Sequence, residues 1–145
     1  MIVIDANLLI FAWVESTPQH RQARIWIEEA FTDEEWIGIP WVSSWAFLRI
    51  VTNARVFPRA LSAEVAFGFV RRWLALPNVI ALHPGPRHEE LLRGLVVAGQ
   101  ATGSMVTDAV MAAMTIEQGA TLATTDRDFS RFPGLSWFNP LETAI

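Results

Sequence analysis

Short apolar runs rich in β-branched residues alternate along this chain with longer amphipathic stretches, and this alternation constrains the fold more than any other feature. The short runs predict strands at 2–4, 36–40, 78–82, 120–125 and, more briefly, 135–138. The stretches between them predict helices at 7–13, 18–31, 41–52, 62–76, 86–99 and 104–119. Strands that are joined by helices form parallel sheets covered by helices. At 145 residues, the sequence therefore predicts one α/β domain, residues 1–145, with a mostly parallel central sheet.

The ends of these elements are marked by residues that begin or end helices. Pro18 opens the second helix, Ser62 is a favoured N-cap, and Pro77 ends the helix that Ser62 begins. Gly119 is the residue type expected just past a helix C-terminus. Residues 32–35, TDEE, predict an acidic turn before the second strand. No low-complexity linker separates the elements, so no domain boundary is predicted.

Aspartates stand where the predicted strands end and where one apolar helix begins. Asp5 follows IVI, Asp126 and Asp128 follow TLATT, and Asp108 opens the helix in SMVTDAV. If the first and fourth strands are parallel neighbours, their carboxyl ends open on one crevice, which is where open α/β sheets bind ligands. Carboxylates that meet there raise one another's pKa, so such a cluster usually persists because a cation lies among them. Mg²⁺ and Mn²⁺ prefer carboxylate and water oxygens and are the candidate ions.

Each of these aspartates also has a purely structural explanation. Asp5 is a favoured helix N-cap, and Asp108 complements the helix dipole as a first-turn acid. Asp126 and Asp128 suit an ordinary turn. Three separate segments would then need three unrelated reasons for their acids, and we therefore favour a shared site.

All eleven basic residues are arginine, and the absence of lysine excludes several classes of chemistry. It excludes Schiff-base catalysis and the lysine of a phosphate-binding loop. Five arginines and one acid give residues 49–72 a net charge of +4, so the remainder must carry −8 to reach the total of −4. The basic stretch suits either a phosphate-backbone ligand or an ordinary solvated helix surface.

The other reactive side chains form no recognisable catalytic set. Zero cysteine excludes disulfides, thiolate zinc sites and thiol catalysis. His83 and His88 match no common zinc spacing, and Ser43 and Ser44 lack the G-x-S-x-G context of a hydrolase. The seven Trp and nine Phe residues are assigned mostly to the core rather than to base stacking. No segment reaches the roughly 18 apolar residues of a membrane span and no signal peptide is recognisable, so we expect a cytoplasmic protein without membrane contact.

Three stretches of the sequence resemble PIN-domain ribonucleases of the VapC toxin type. They are VIDANLLIFA at the start, WAFLRIVTNARVF in the middle and TDAVMAAMTIEQGATLATTDRDFSRFPGL near the end. The resemblance spans the chain from Ile2 to about Pro140. It implies a three-layer α/β/α sandwich, in which an acid cluster binds Mg²⁺ or Mn²⁺ and hydrolyses phosphodiester bonds in RNA.

The resemblance also assigns roles to individual residues. The catalytic and metal-binding acids are Asp5, Asp108 and Asp126, and Asp128 is an auxiliary metal ligand. The residues expected to contact or support the substrate are Arg49, Thr124 and Asn7. For Arg49 a structural ion pair is an equally good explanation.

Ala46 departs from the family pattern, because members commonly carry a Glu at this position. Glu15, Glu28 and Glu29 lie on earlier elements and cannot be assumed to replace it. The sequence therefore favours one well-held ion over two.

The sequence thus predicts a metal-dependent endoribonuclease that acts on single-stranded or looped RNA as the toxin of a toxin–antitoxin pair. The resemblance further implies a cognate antitoxin and a homodimer. The alternative is a non-cleaving PIN-like domain that binds RNA or protein, which Ala46 makes credible. Receiver domains and aspartyl-phosphate hydrolases also place acids around Mg²⁺, but both families require an active-site lysine, and this chain has no lysine.

Overall fold

The computed structural model describes residues 1–33 and 36–143, and within them the strands and helices alternate as the sequence predicts. The described strands are β1 (Ile2–Ile4), β2 (Ile37–Pro40), β3 (Val79–Leu82), β4 (Thr121–Ala123) and β5 (Trp137–Phe138). The described helices are α1 (Ala6–Trp13), α2 (His20–Asp33), α3 (Trp41–Val51), α4 (Ala63–Leu74), α5 (His88–Ala98) and α6 (Met105–Glu117). A short 3₁₀ helix at Arg127–Arg131 follows β4.

All the described strands are parallel and lie in the order β3-β2-β1-β4-β5. The first and fourth strands are parallel neighbours, which was the condition for a shared crevice, because Ile4 of β1 pairs with Ala123 of β4. From β1 the chain builds outward through β2 and β3, and it then returns to the other side of β1 to form β4 and β5. The direction of winding therefore reverses between β1 and β4, and the carboxyl edge at such a reversal is where parallel sheets bind ligands.

The core lies in two layers, one on each face of the sheet. One cluster joins α1 to α4 with the sheet and includes Ile4, whereas the other joins α5 and α6 with the sheet and includes Val3. Adjacent residues of β1 thus point to opposite faces, as the two-residue repeat of a strand requires. The predicted three-layer α/β/α arrangement is confirmed. Within the described residues, no helix is long and apolar enough to cross a membrane.

Two predicted helix starts are wrong by two residues. The second helix begins at His20 rather than at Pro18, which lies in the preceding turn. The fifth begins at His88 rather than at Pro86, because the carboxylate of Glu117 accepts hydrogen bonds from the backbone N–H groups of Gly85 and Arg87 at 3.0 and 2.8 Å. Those bonds hold the turn outside the helix. Such a long-range contact cannot be read from local sequence.

The predicted acidic turn at 32–35 is only partly covered by the described residues. Thr32 and Asp33 belong to α2, and the Thr32 hydroxyl donates to the Glu28 carbonyl at 2.8 Å, so the helix continues two residues further than predicted. Glu34 and Glu35 lie outside the described residues. The fourth strand is shorter than predicted, because β4 ends at Ala123 and the chain then leaves the sheet towards the 3₁₀ helix.

Candidate active site

Asp5 lies at the carboxyl end of the central strand and is held there by two hydrogen bonds. Its Oδ1 accepts from the backbone N–H of Ala6 at 2.7 Å, and its Oδ2 accepts from the hydroxyl of Thr124 at 2.7 Å. The first bond makes Asp5 the N-cap of α1, so the explanation of Asp5 as a helix cap is correct, but it does not account for the second bond. The second bond comes from the end of the neighbouring strand and fixes the carboxylate over the crevice.

Thr124 organises this part of the crevice from below. Its side chain is fully buried, and besides donating to Asp5 its oxygen accepts from the backbone N–H of Asp126 at 3.0 Å and from Asn7 Nδ2 at 3.3 Å. A hydroxyl has one proton to donate and two lone pairs, so these three bonds use its full capacity. Thr124 and Asn7 were predicted to contact or support the substrate. In the structure Thr124 bonds to the Asp5 carboxylate and to the backbone of Asp126, whereas Asn7 bonds to Thr124.

Asp126 and Asp128 lie directly after β4, on the same side of the crevice. Asp126 is partly buried and caps the 3₁₀ helix, because its Oδ1 accepts from the backbone N–H of Asp128 at 2.8 Å. Asp128 is exposed. The turn explanation therefore also describes the backbone here, and it leaves both carboxylates near the crevice.

Asp108 approaches from the opposite side, in the first turn of α6. It is partly buried, and its charge interacts with the charges of Asp126, Asp128 and Arg131. All the sequence-predicted acids thus belong to one electrostatic cluster, although they arrive from β1, α6 and the segment after β4.

The pKa values of Asp5 and Asp108 are both raised, mainly by burial and further by repulsion from the neighbouring acids. Burial raises the pKa of Asp5 to about 6, and repulsion by Asp108 and Asp126 adds to the increase. The hydrogen bonds from Thr124 and Ala6 lower this pKa but do not cancel the increase. Burial also raises the pKa of Asp108, again with repulsion from Asp126 and Asp128, whereas the positive charge of Arg131 lowers it. Negative charge is therefore unfavourable here in the free protein, and a cation in the crevice would relieve that strain.

The donor set fits a hydrated divalent ion better than a fully enclosed one. Among the residues that the structure describes, no three acidic or histidine side chains already stand close enough together to enclose an ion. Mg²⁺ usually keeps several waters and binds through one or two carboxylates, so a closed cage is not required. Each oxygen of Asp5 accepts a single hydrogen bond from the described residues and keeps a lone pair for an ion or its water.

The crevice itself has a volume of about 240 Å³ and lies between α1, α3 and α6. Its lining combines acids, small residues and one cation: Asp5, Ala6, Val42, Ala46, Arg49, Ser104, Thr107, Asp108 and Met111. Ala46 therefore lies beside the acids, as the family resemblance implies. Glu15, Glu28 and Glu29 are exposed on other elements and do not line the crevice, and Glu28 pairs with Arg24 at 2.9 Å. None of the three supplies the carboxylate that Ala46 lacks.

Arg49 is the arginine of the basic stretch that borders the crevice. It is exposed and forms no ion pair with the described residues, so the structural-pair explanation is not supported. Three of the other four lie elsewhere: Arg59 lines a cavity with Trp13, and Arg71 and Arg72 line a hollow on α4. The +4 stretch is therefore not one continuous basic face around the acids.

Two residues near the site were missed by sequence reasoning. Arg131 lies at the end of the 3₁₀ helix that Asp126 begins, and its charge acts on Asp108. Ser43 is fully buried and its hydroxyl donates to the carbonyl of Ile4 at 2.9 Å, which anchors α3 to the strand that carries Asp5. The short spacing from Asp126 to Arg131 was a cue for the arginine, whereas nothing local in the sequence indicates the serine.

His83 and His88 lie away from the acids. The ring of His83 contacts Trp41 at a centroid distance of 6.4 Å, and His88 begins α5. His83 is exposed and His88 is half-buried, and neither lines the crevice.

These features define a class: parallel α/β proteins with an acidic crevice, suited to a divalent ion, at the point where the sheet reverses its winding. The chain belongs to the PIN-domain family, whose model matches residues 2–135. Divalent-metal dependence is general among VapC-type ribonucleases of this family, and the hard oxygen donors of the crevice agree with it.

Similar proteins extend over nearly the whole chain. Ribonuclease VapC33 from Mycobacterium tuberculosis is 39% identical over 141 residues, which cover 97% of this chain and 99% of that protein. The crystal structure of VapBC2 from Rickettsia felis bound to a promoter DNA fragment has a chain with a TM-score of 0.67 and 19% identity, covering 96% of this chain and 98% of its own. A toxin–antitoxin complex from Klebsiella pneumoniae has a chain with a TM-score of 0.64 and 17% identity, covering 99% and 100%. The sequence relative confirms the predicted resemblance, and the structures share the fold.

Proposed function

We propose that this protein is a metal-dependent endoribonuclease, the toxin of a toxin–antitoxin pair, and that residues 1–145 act as one PIN-like domain. The observation that carries the proposal is the carboxylate of Asp5, held by Thr124 at the winding reversal of the sheet and facing Asp108 across the crevice. Membership of the PIN-domain family and 39% identity to a protein named as a ribonuclease support the choice of RNA as substrate. Such an enzyme would act in the cytoplasm.

Asp5, Asp108 and Asp126 would hold Mg²⁺ or Mn²⁺, directly or through water, with Asp128 as an auxiliary ligand. When bound, such an ion polarises a phosphoryl oxygen and lowers the pKa of a bound water. Thr124 and Ala6 keep the carboxylate of Asp5 in one orientation, and Arg131 favours the ionised form of Asp108. Arg49 is free to neutralise a phosphate of the strand at the rim of the crevice.

Ala46 leaves room where a further carboxylate would stand, which favours a single ion. A single ion can still activate water, whereas a second ion would also stabilise the leaving oxygen. The same observation, together with the open arrangement of the acids, keeps one alternative in view. A PIN-like domain without catalysis would bind RNA or protein at the same crevice.

A protein partner and self-association complete the proposal. A cognate antitoxin that covers the crevice and a homodimer of the toxin follow from the family, and the similar Klebsiella pneumoniae structure is described as a toxin–antitoxin complex. The surface of α4 agrees with a protein partner, because Val65 and Phe67 are half exposed on it.

The experiment that tests the activity is sequencing of RNA 5′ ends after expression of the wild type and of Asp5→Asn. New ends should appear with the wild type and disappear with the variant. Asp33→Asn makes the same chemical change at an exposed position at the end of α2 and should leave the ends in place. Identical 5′ ends in all three cultures and in a culture without the protein would favour the non-cleaving alternative.

A further inference from the structure

A second hollow of about 430 Å³ continues the acidic crevice outward between α3 and α6. Its walls are mostly apolar and are formed by Val42, Trp45, Ala46, Arg49, Val106, Thr107 and Val110. Val42, Ala46, Arg49 and Thr107 also line the crevice, so the two spaces are joined along a shared border. A strand whose phosphate lies at the acids would leave the site along this groove.

Trp45 is the feature of the groove that packing within the chain does not explain. Its side chain is 63% exposed, and no ring contact involves it within the described residues. Four other tryptophans each contact an aromatic ring, and they are Trp13, Trp26, Trp41 and Trp73. Trp45 is therefore one of the tryptophans that do not belong to the core, to which the sequence assigned most of them.

We propose that this groove is a nucleotide subsite, in which a base of the RNA strand stacks on the indole of Trp45 while Arg49 contacts a neighbouring phosphate. Trp45 and Arg49 are four residues apart on α3, which places them on the same helix face. Every base has a flat face that can stack on an exposed aromatic ring, and an arginine beside the ring neutralises the backbone. The proposal rests on the proposed ribonuclease function and specifies where the substrate is held.

The charge of the groove favours a nucleic acid over a second copy of the chain. No acidic side chain lines the groove, and Arg49 has no ion-pair partner within the described residues. In a symmetric dimer the same patch meets itself, so an interface here would bring together two unpaired arginines. Burying such charges without partners is unfavourable. A phosphate backbone supplies the missing negative charge.

The test measures the affinity of purified protein for a short fluorescein-labelled single-stranded RNA by anisotropy, in an Asp5→Asn background that prevents cleavage. Trp45→Ala should weaken binding by about 5- to 150-fold, and Trp45→Phe should retain most of the affinity. Trp36→Ala is the matched control, because Trp36 is also an exposed tryptophan, 44% exposed. It precedes β2 and therefore lies at the amino ends of the strands, whereas the groove lies at their carboxyl ends. Trp36→Ala should leave the affinity unchanged.

A strand of the same length without bases separates stacking from charge. Trp45→Ala should not affect the binding of the abasic strand, whereas Arg49→Ala should weaken the binding of both the RNA and the abasic strand. The proposal is overturned if Trp45→Ala changes RNA affinity by less than about twofold, or weakens the abasic strand equally. It is also overturned if Trp45→Ala converts a dimer to a monomer in sedimentation, since the groove would then be an interface between copies.

Failure of the proposed function would be seen separately. Purified wild type that cleaves no RNA in Mg²⁺ or Mn²⁺ would remove the nuclease assignment, and the comparison of RNA affinities between Trp45→Ala and Trp36→Ala would still stand. The binding assay needs no cleavage, so each assay tests its own claim.

Discussion

The two sides of the acid cluster are built in different ways. We call the residues at the ends of β1 and β4 the strand wall, consisting of Asp5, which lines the crevice, with Thr124 and Asp126 beside it. We call the residues on α3 and α6 that line the crevice the helix wall, consisting of Ala46, Arg49 and Asp108. Every side chain of the strand wall takes part in hydrogen bonds of 2.7 to 3.0 Å. Within the described residues, no side chain of the helix wall forms one. One wall is therefore fixed before any ligand arrives, and the other can adjust to what binds.

This difference suggests that the strand wall controls the rate of the chemical step, whereas the helix wall controls binding. Preorganised groups aimed at a reacting centre give the largest rate effects, because they need no rearrangement during the reaction. The adjustable wall controls how tightly an ion and a substrate are held. Four changes, ordered from the largest expected effect to the smallest, test this division.

Lengthening the two opposing acids by one methylene should have unequal effects. Asp5→Glu should lower kcat/KM for RNA by at least about 100-fold, because both oxygens of Asp5 are already placed by Ala6 and Thr124 and a shift of an ångström is costly. Asp108→Glu should lower it by only about 10-fold, since that carboxylate is free to move back. The Asn variants at both positions should abolish cleavage. Equal losses for the two Glu variants would mean that the walls do not differ.

In the metal-free protein, the free energy of unfolding should change with pH because of Asp5. The pKa of Asp5 is about 6 in the folded protein against 3.8 for an ordinary aspartate, so the folded state keeps a proton that the unfolded chain releases. The proton on Asp5 therefore stabilises the folded state, and this contribution to the free energy of unfolding is complete below about pH 4. As the pH rises to about 6 the contribution is lost, which lowers the free energy of unfolding by about 3 kcal/mol.

Urea unfolding in EDTA at several pH values measures this contribution. At pH 7, Asp5→Asn should be more stable than the wild type, and the difference should disappear below about pH 4. The comparison of the two proteins removes the contributions of the other titrating groups. A stability difference that stays constant from acid to neutral pH would argue against repulsion and burial at Asp5.

Removing the hydroxyl of Thr124 should weaken the strand wall without removing an acid. Thr124→Val keeps the shape of the side chain but leaves Asp5 without its second bond, and we expect Mn²⁺ affinity to fall by about 10- to 100-fold. The bond also lowers the pKa of Asp5, so cleavage should need a higher pH in the variant.

Thr115→Val is the matched control for this change. Thr115 is equally buried, and its hydroxyl donates to the Met111 carbonyl at 2.9 Å within α6. Both variants should lose stability by about 1 kcal/mol. If calorimetric titration shows the same Mn²⁺ affinity for both, the hydroxyl of Thr124 has only a structural role.

Ala46→Glu should sharpen the comparison from the helix wall. A carboxylate added beside Asp5 and Asp108 should tighten Mn²⁺ binding by roughly 3- to 10-fold, because extra negative charge favours a divalent ion. Without metal the variant should be slightly less stable, since a further acid joins a repulsive group. Ala54→Glu adds the same charge in an exposed turn beyond α3 and should do neither. Unchanged affinity and apo stability in Ala46→Glu would mean that its new side chain turns away from the ion.

Local sequence was enough to predict the strands and the acids, because both depend on short-range patterns. The run IVI and the acid that follows it mark a strand end, and the same holds for TLATT and Asp126. The interactions that position these acids depend on the tertiary fold instead. Thr124 reaches Asp5 across 119 positions, and Glu117 holds the turn at Gly85 across 32. Exposure is likewise a tertiary property, which is why the sequence alone could not distinguish the exposed Trp45 from the buried Trp73.

The roles of the acids remain predictions that the variants above will test. The sequence assigned them through family resemblance, and the structure adds their hydrogen bonds and mutual repulsion. It also places Ala46 and Arg49 on the lining of the crevice.

The pairing of β4 with β1 has a consequence for synthesis of the protein. The bond between Asp5 and Thr124 joins the first strand of the chain to one formed 119 residues later. A ribosome must therefore make nearly the whole chain before the acid cluster is complete, and a fragment that stops before β4 carries Asp5 and Asp108 but neither Thr124 nor Asp126. An RNA-cutting enzyme assembled in this way would be harmless to the message and the ribosome during its own translation.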